Sequence, residues 1–420
     1  MHTDSVRIDS HDSTHHMTSP TPSTPPHAAT GIARPLIMVF AAACGLIVAN
    51  IYYAQPLTGP IAASLGLAPR WAGIIVTVTQ MGYCLGLLLI VPLGDLLENR
   101  GLVVWMTRAV AVALLVVAFA TRPALFLVGM WLVGLLSVAV QVLVTFVTHL
   151  TPLAIRGRVV GSVMSGLMLG IMLARPLASL VAQLASWRAI FVLSATVMLG
   201  LSFLLRWSLP RHQSASTQGY GPLLVSMARL FATTRPLQRR AFYHACLFAT
   251  FSLFWTVTPL LLSSPRFGVS QGGIALFALV GVAGAIAAPI AGRVADRGWI
   301  WSATLAAMAL TALAFTLTWF VAPRFFIAAL GLEGILIDFG VTTNLVLGQR
   351  VIFSLSAAYR ARLNALYMAI FFLGGATGSA LGGWAYASGG WERACMVGMA
   401  LPALAFLACL TEAGGRRQTP

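Results

Sequence analysis

The sequence predicts an all-α membrane protein, with twelve transmembrane helices in two pseudo-symmetric six-helix bundles. Composition is the first observation: 59% of the 420 residues are apolar and 9% are charged, against roughly 45–50% and about 25% in soluble domains. The second is segmentation, because the apolar residues fall into runs near the length of about 20 that crosses a hydrocarbon core. The third is an internal repeat, in which the second half of the chain copies landmarks of the first at a nearly fixed offset. At a mean hydropathy of +0.88, a soluble fold has no way to cover this much apolar surface.

The elements follow in order. Residues 1–33 are rich in Ser, Thr, Pro and His, and Asp4, Asp9 and Asp12 make them unlike the basic start of a secretory signal. They read as a disordered cytoplasmic tail rather than a weak metal site. Apolar runs then predict spans 1 to 6 near 35–57, 71–93, 101–120, 123–148, 159–183 and 187–207. A basic stretch rich in Ser, Gly and Gln, 208–239, reads as a cytoplasmic linker whose arginines lie at anionic headgroups. Spans 7 to 12 follow near 240–262, 271–292, 299–321, 323–348, 363–386 and 391–411. This divides the chain into an N-terminal bundle (34–207), the linker, a C-terminal bundle (240–412) and a cytoplasmic tail (413–420).

Charge tests the count. All 26 basic residues are arginine and ten residues are acidic, giving a net charge of +16. With the amino terminus inside, eighteen arginines fall on inner segments and six on outer loops (Arg70, Arg122, Arg188, Arg266, Arg324 and Arg393), with Arg108 and Arg175 left inside spans. Basic residues mark cytoplasmic loops, so both termini are expected inside. The same distribution argues against nucleic acid as a partner, since no Arg-rich stripe has an aromatic platform beside it. The five cysteines have neither disulfide nor metal spacing. No Gly-rich phosphate loop with its Lys occurs, so neither cofactor nor metal is expected.

The repeat is detailed. Arg156-Gly-Arg158 recurs as Arg360-Ala-Arg362, Gly170 as Gly374 and Trp187 as Trp391, each 204 positions later. Pro56-Leu57 matches Pro259-Leu260, and Asp95 matches Asp296, at offsets of 203 and 201. Both halves start on one side, so they are parallel repeats about an axis along the membrane normal. Two such bundles can rock about a central site and expose it to one side at a time.

Two acids lie deep inside a span, Glu333 and Asp338 of span 10. A charge near the bilayer centre costs at least a few kcal/mol, so it persists only when protonated, paired or lining a wet cavity. Such a group suits proton exchange. Five helical residues turn through about 140°, so the two cannot both face one cavity. Asp338 is preferred for the proton, with Glu333 next and a packing pair as the alternative. Arg175, beside Pro176, is the buried cation, open to three readings: counter-ion for a carboxylate, ligand for an anion, or a side chain reaching to the outer face. An intramembrane aspartyl protease would need two matched Asp on facing helices, and Asp338 is the single intramembrane Asp; a serine type would need a Ser–His or Ser–Lys couple with supporting motifs. The chain is not expected to be an enzyme.

Gly292-Arg293-Val294-Ala295-Asp296-Arg297-Gly298 resembles the Gly-x-Leu-Ala-Asp-Arg-x-Gly loop of the major facilitator superfamily, and the resemblance extends over 35–412. The first-half copy, Pro92-Leu93-Gly94-Asp95 through Arg100, keeps the Asp and a distal Arg. It lacks the leading Gly, the Arg after Asp and the second Gly. Asn50-Ile-Tyr-Tyr-Ala-Gln-Pro56 and Gly170-Ile-Met-Leu-Ala-Arg-Pro176 resemble the bacterial drug and sugar exporters of that superfamily. The resemblance implies alternating access in the bacterial inner membrane by a single functional chain, with a small-molecule substrate and protons as partners. It also implies gating roles for Asp95, Arg100, Arg293, Asp296, Arg297 and Arg175. A loop Asp can accept hydrogen bonds from the free N–H groups that start a neighbouring helix.

In the resembled fold, spans 1, 4, 7 and 10 line the pocket. The polar candidates there are Asn50, Tyr53 and Gln55; Gln141 and Thr145; Trp255; and Asn344. His149 and His244 read as solvated or cap-bound residues near cytoplasmic ends, and Tyr53 and Trp255 also fit interface-belt aromatics. The expectation is proton-coupled efflux of a small, amphipathic or neutral molecule. The alternatives are a proton-coupled importer or facilitator and a non-transporting sensor.

Overall fold

A computed structural model describes residues 33–211, 219–356 and 359–416. Apart from Ala33, the expected tail 1–33 lies outside the described residues, as do 212–218 of the linker and 417–420. Every regular element among the described residues is helical. We label the helices α1 (Arg34–Ala49), α2 (Pro69–Asp95), α3 (Asn99–Phe119), α4 (Pro123–Leu150), α5 (Leu153–Leu184) and α6 (Trp187–Ser208) in the first half. The second half has α7 (Arg235–Leu262), α8 (Gln271–Asp296), α9 (Ile300–Phe320), α10 (Pro323–Leu355), and α11 and α12, which together run over Arg360–Arg416. The last two are divided where Gly389 and Gly390 leave helical geometry, Gly390 at φ 65°. Ten helical stretches among the described residues, with α11 and α12 counted as the one run Arg360–Glu412, are long and apolar enough to cross a membrane, and α1 is a shorter apolar helix.

Proline sets many starts, because its missing N–H is one that a first turn leaves unpaired anyway. It occupies the opening turn of α1, α2, α4, α7 and α10. The first apolar run differs from its expected continuous span: α1 stops at Ala49, and the chain turns through Gln55–Leu57 before a short helix, Thr58–Ser64. Pro56 cannot donate within that stretch. The linker also holds more structure than its composition suggested. It contains a surface helix, Tyr220–Thr233, which buries Leu223 and Met227. Its Tyr220 hydroxyl donates to the Leu89 carbonyl of α2 at 2.7 Å, and its Ser226 hydroxyl accepts from Arg362 of α11 at 2.9 Å. The linker helix thus touches both halves, and we call this the linker end and its opposite the far end.

Packing repeats with the sequence. In the first half α1 packs on α5, α2 on α4 and α3 on α6; in the second, α7 packs on α11, α8 on α10 and α9 on α12. Gly170 lets α5 meet Gly45 of α1, and its repeat mate Gly374 lets α11 meet Ala245 of α7. Arg156 donates to the Thr151 carbonyl at 3.1 Å, and Arg360 to the Phe353 carbonyl at 3.0 Å. Each member of the repeated Arg pair therefore closes the end of the preceding helix, where carbonyls lack partners.

The halves meet along α2 with α11 and α5 with α8. Gly73 lies against Ser379 and Gly383, and the Ser379 hydroxyl donates to the Gly73 carbonyl at 3.0 Å. Thr77 donates to the Ala376 carbonyl at 3.1 Å, Gln80 to the Ser252 hydroxyl at 3.0 Å, and the Gly272 N–H to Gln183 at 3.0 Å. Hydrogen bonds inside membranes average about 0.6 kcal/mol each, so these four contribute roughly 2–3 kcal/mol. These bonds add to the packing that joins the halves toward the far end.

Candidate functional site

A cavity of about 230 Å³ lies between the halves. Its walls carry Tyr52 of the turn after α1, Tyr83 of α2, Gln141 of α4, Gln349 of α10, and Asn364 and Phe371 of α11. Its described lining also contains Met164, Met168 and Met368 and no charged residue. Because α10 runs from the far end to the linker end, Leu345, Gln349 and Phe353 place the cavity on the linker side of Asp338.

Beyond the cavity, toward the far end, α5, α7, α10 and the Gln55–Leu57 turn assemble a buried polar cluster. Asp338 of α10 accepts a hydrogen bond from the Trp255 indole N–H of α7 at 2.9 Å. Gly281 and Gly284 of α8 fit against its side chain, within a 3₁₀ stretch, Leu279–Ile286. A face of the indole meets Arg175 of α5, whose guanidinium carbon sits 4.4 Å from the ring centre. Phe251 and Tyr52 complete an aromatic cage around Arg175 at 4.9 and 5.2 Å. Arg175 donates from Nε to Gln55, in the turn that follows α1, at 2.8 Å. It is 3% exposed, so it does not reach to a membrane face. Gln55, Arg175, Trp255 and Asp338 therefore form one unit across both halves: the carboxylate holds the indole, and the indole stacks on the cation.

Glu333 lies elsewhere. It sits beside Thr318 of α9 and Cys395 of α12, and neither carboxylate oxygen has a hydrogen-bond partner among the described residues. The Thr318 hydroxyl instead accepts from the Trp391 indole at 3.0 Å. The roughly 140° between the two acids sends Glu333 into the interior of the second half and Asp338 to the boundary between halves. Glu333 is 0% exposed and Asp338 5%, so both acids are buried, and what separates them is the place of Asp338 at the boundary between halves.

The other candidates divide by helix face. Gln141 lines the cavity and donates to the Tyr83 hydroxyl at 3.4 Å. Thr145, one turn on, bonds back to the Gln141 carbonyl and lines a small chamber with Asp95 and Arg362 at the linker end. Asn50 accepts from Ser194 of α6 at 2.6 Å, and Tyr53 also lies beside Ser194, so both face the first half's own interior. Tyr52, one residue away, faces the cavity instead. Val48, Tyr52 and Gln55 share a stripe at i, i+4 and i+7, and that spacing was the available signal. Asn344 approaches His244 at 3.0 Å, where the ring stacks between Tyr367 and Phe371 at 5.2 and 4.4 Å. His244 is wholly buried, not solvated as its position near a span end suggested.

The two repeated loops around Asp95 and Asp296 are not equivalent. Asp95 of α2 lies in the field of Arg362 of α11 and of His149, so its interaction crosses between halves. Asp296 pairs with Arg350 at 2.6 Å, wholly within the second half and with both side chains largely exposed. The free N–H groups at the start of α3 are taken by Glu98, which accepts from Arg100 and Gly101 at 3.1 and 2.8 Å. Arg100 itself reaches the carbonyls of Arg206 and Leu209 at the end of α6. Arg293 bonds back to the Pro289 carbonyl, and Arg297 is exposed.

The sequence profile described as Major Facilitator Superfamily matches residues 36–352. A protein named uncharacterized transporter YgaY, from Escherichia coli O157:H7, is 38% identical over 363 residues, covering 86% of this chain and 92% of its own. The probable transporter SCO4007 of Streptomyces coelicolor is 31% identical over 393 residues, covering 90% of each. Among solved structures, the nucleoside transporter NupG superposes with a TM-score of 0.71 at 13% identity, over 91% of this chain and all of the other. A bacterial homologue of the human lysosomal transporter Spinster, in an inward-facing and occupied conformation, gives 0.71 at 14% identity, over 92% and 97%. Profile, relatives and fold agree, and the chain belongs to the major facilitator superfamily of membrane transporters.

Proposed function

We propose that this protein is a proton-coupled secondary transporter that exports a small molecule by alternating access. The observation that carries the proposal is Asp338, a carboxylate at the boundary between halves, hydrogen-bonded to Trp255 at 2.9 Å and set behind the Arg175 cage. Glu333, off the cavity and wholly enclosed, is left a packing role. Gln141 contacts substrate together with Tyr52, Tyr83, Gln349 and Asn364, while Gln55 and Trp255 support the ion cluster. An uncharged wall of rings, amides and three methionines suits a neutral or amphipathic molecule bearing an aromatic face, since methionine adapts to varied shapes. The alternative is a proton-coupled importer or facilitator: the neighbour NupG is a nucleoside transporter, and rings with amides also suit a heteroaromatic base.

The proposed topology places the linker end in the cytoplasm, with both termini inside and twelve crossings of a bacterial inner membrane, six on each side of 208–239. The functional unit is one chain. In the cycle, the inward-facing carrier binds substrate beside ionised Asp338. Rocking opens the far end, a proton neutralises the carboxylate, substrate leaves, and the neutral carrier returns. Asp95 with Arg362 holds the linker end shut in the outward-facing state. A substrate screen in proteoliposomes carrying a pH dye tests this reading, and everted vesicles at an imposed pH gradient decide direction. Transport that proceeds with no proton movement refutes it.

A further inference from the structure

We propose that a groove between α1 and α5 at the linker end binds one anionic phospholipid, its phosphodiester held by Arg34 and Arg158. The repeat shows what is unusual about this groove. Gly170 of α5 meets Gly45 of α1, and its mate Gly374 of α11 meets Ala245 of α7. These contacts map α1 onto α7 at an offset of 200 (245 minus 45) and α5 onto α11 at 204 (374 minus 170). Ile37, Met38 and Ala41 therefore correspond to Leu237, Gln238 and Ala241, and Arg158, Val159 and Ser162 to Arg362, Leu363 and Leu366. In the second half the linker helix covers this surface. Leu237, Ala241, Leu363 and Leu366 share one apolar cluster with its Met227. Gln238 donates to its Phe231 and Ala232 carbonyls at 2.8 and 3.1 Å, and Arg362 donates to its Ser226 hydroxyl at 2.9 Å. In the first half the matching surface lines an open groove of about 510 Å³.

The walls specify the occupant. Ile37, Ala41 and Val159 supply apolar surface, Arg34, Arg158 and Ser162 supply polar groups, and no acid is among the described lining residues. Neither guanidinium has an ion-pair partner among the described residues. Arg362, the mate of Arg158, instead has the linker-helix hydroxyl and lies in the field of Asp95. What fills the first-half groove must bring a negative acceptor and an apolar stem together. A phosphodiester suits the arginines, because a guanidinium presents paired N–H groups to phosphate oxygens. Height suits it as well. Arg34 opens α1 and Arg158 lies in the first turns of α5, at the helix ends where headgroups stand, and basic pockets between transmembrane helices hold anionic headgroups in this way. Arg158, Ser162, Ser165 and Leu169 follow one stripe of α5 at i, i+4, i+7 and i+11. Leu169 is 56% exposed, and Met38 and Leu46 of α1 are 71% and 37% exposed, which extends an apolar path for an acyl chain toward the bilayer centre. The ammonium of a zwitterionic lipid would meet two cations and no acid, so the groove selects by charge. The lipid does for the first half what the linker helix does for the second, covering apolar surface and giving the arginine an acceptor.

The experiment is native mass spectrometry of the full-length protein with phosphatidylglycerol and phosphatidylcholine at equal concentration, run beside maleimide labelling of Ser162→Cys in nanodiscs. The five native cysteines are buried, so the reporter reacts alone. One phosphatidylglycerol is expected to bind about tenfold more tightly than phosphatidylcholine, and its presence in the nanodisc slows labelling about fivefold. Arg34→Gln and Arg158→Gln each weaken retention several-fold, and together they erase the preference. The paired control Arg266→Gln with Arg324→Gln, at the far end, keeps it. Equal retention of the two lipids overturns the proposal, and so does loss of the preference in the far-end control. A reporter already shielded in phosphatidylcholine nanodiscs shows that another part of the chain fills the groove. Shielding by soluble glycerophosphoglycerol shows a site for free phosphodiesters, and either result overturns the lipid assignment. If the double variant does not fold, the single variants and the reporter decide. The measurement needs neither transport nor a pH gradient, so its failure and failure of the proton-coupled cycle are separate results.

Discussion

Replacing Asp338 with Asn removes one charge and little else. The amide oxygen can still accept from Trp255, so the cross-half unit persists in neutral form. A hydrogen bond to a charged group contributes about 1.5–3 kcal/mol and a neutral one about 0.5–1.5, so the 2.9 Å bond itself loses about 1 kcal/mol, to which is added the cost of leaving the buried Arg175 cation without its nearby carboxylate. Coupling changes as well. With one proton entering per molecule exported, each unit of pH gradient supplies about 1.4 kcal/mol, enough for a tenfold concentration ratio. In Asp338→Asn no proton is carried, so that ratio falls to one, while exchange of substrate across the membrane at equal pH continues. The assay is proteoliposome accumulation under imposed gradients of zero, one and two pH units, run beside counterflow. Glu333→Gln is the control, because Glu333 is enclosed among Thr318, Trp391 and Cys395. An Asp338→Asn carrier that still concentrates substrate tenfold per pH unit refutes the assignment, and loss of the gradient in Glu333→Gln alone moves it to the other acid.

Four further outcomes follow from the same geometry. Trp255→Phe keeps a ring under Arg175 but loses the N–H bonded to Asp338, so gradient-driven transport slows about tenfold, the equivalent of roughly 1.4 kcal/mol, with unchanged yield of folded protein on size exclusion. Gly73→Leu wedges α2 from Ser379 and Gly383 of α11; a reporter cysteine at Thr258 then reacts at least tenfold faster with an impermeant maleimide applied at the far end. Glu98→Ala removes the side-chain cap of α3 and lowers unfolding stability by about 1 kcal/mol, seen as a reduced thermal midpoint without change in coupling. Asp296→Asn breaks an exposed pair within one half, which contributes about 0–1 kcal/mol, so its transport rate stays within about twofold of wild type.

The sequence by itself determined the membrane class, the order of helices and the duplication, because each rests on local or one-dimensional quantities. Apolar run length must match the bilayer, proline is favoured in a first turn, and a repeated fold keeps its landmarks in register. Periodicity also separated the two acids, since a helix turns 100° per residue whatever surrounds it. Which face of each helix meets which neighbour was decided only by the tertiary structure. Tyr52 rather than Tyr53 faces the cavity, Asn344 turns to His244, and Glu98 rather than Asp95 caps α3, because packing fixes helix rotation and a one-residue step moves a side chain to another face. The linker helix, Tyr220–Thr233, is largely apolar but lies within a basic stretch, and only the tertiary structure shows it packed against both halves. The union of Gln55, Arg175, Trp255 and Asp338 joins residues up to 283 positions apart (338 minus 55). No spacing rule reaches that far, and only the meeting of two bundles brings a carboxylate, an indole and a guanidinium into one stack.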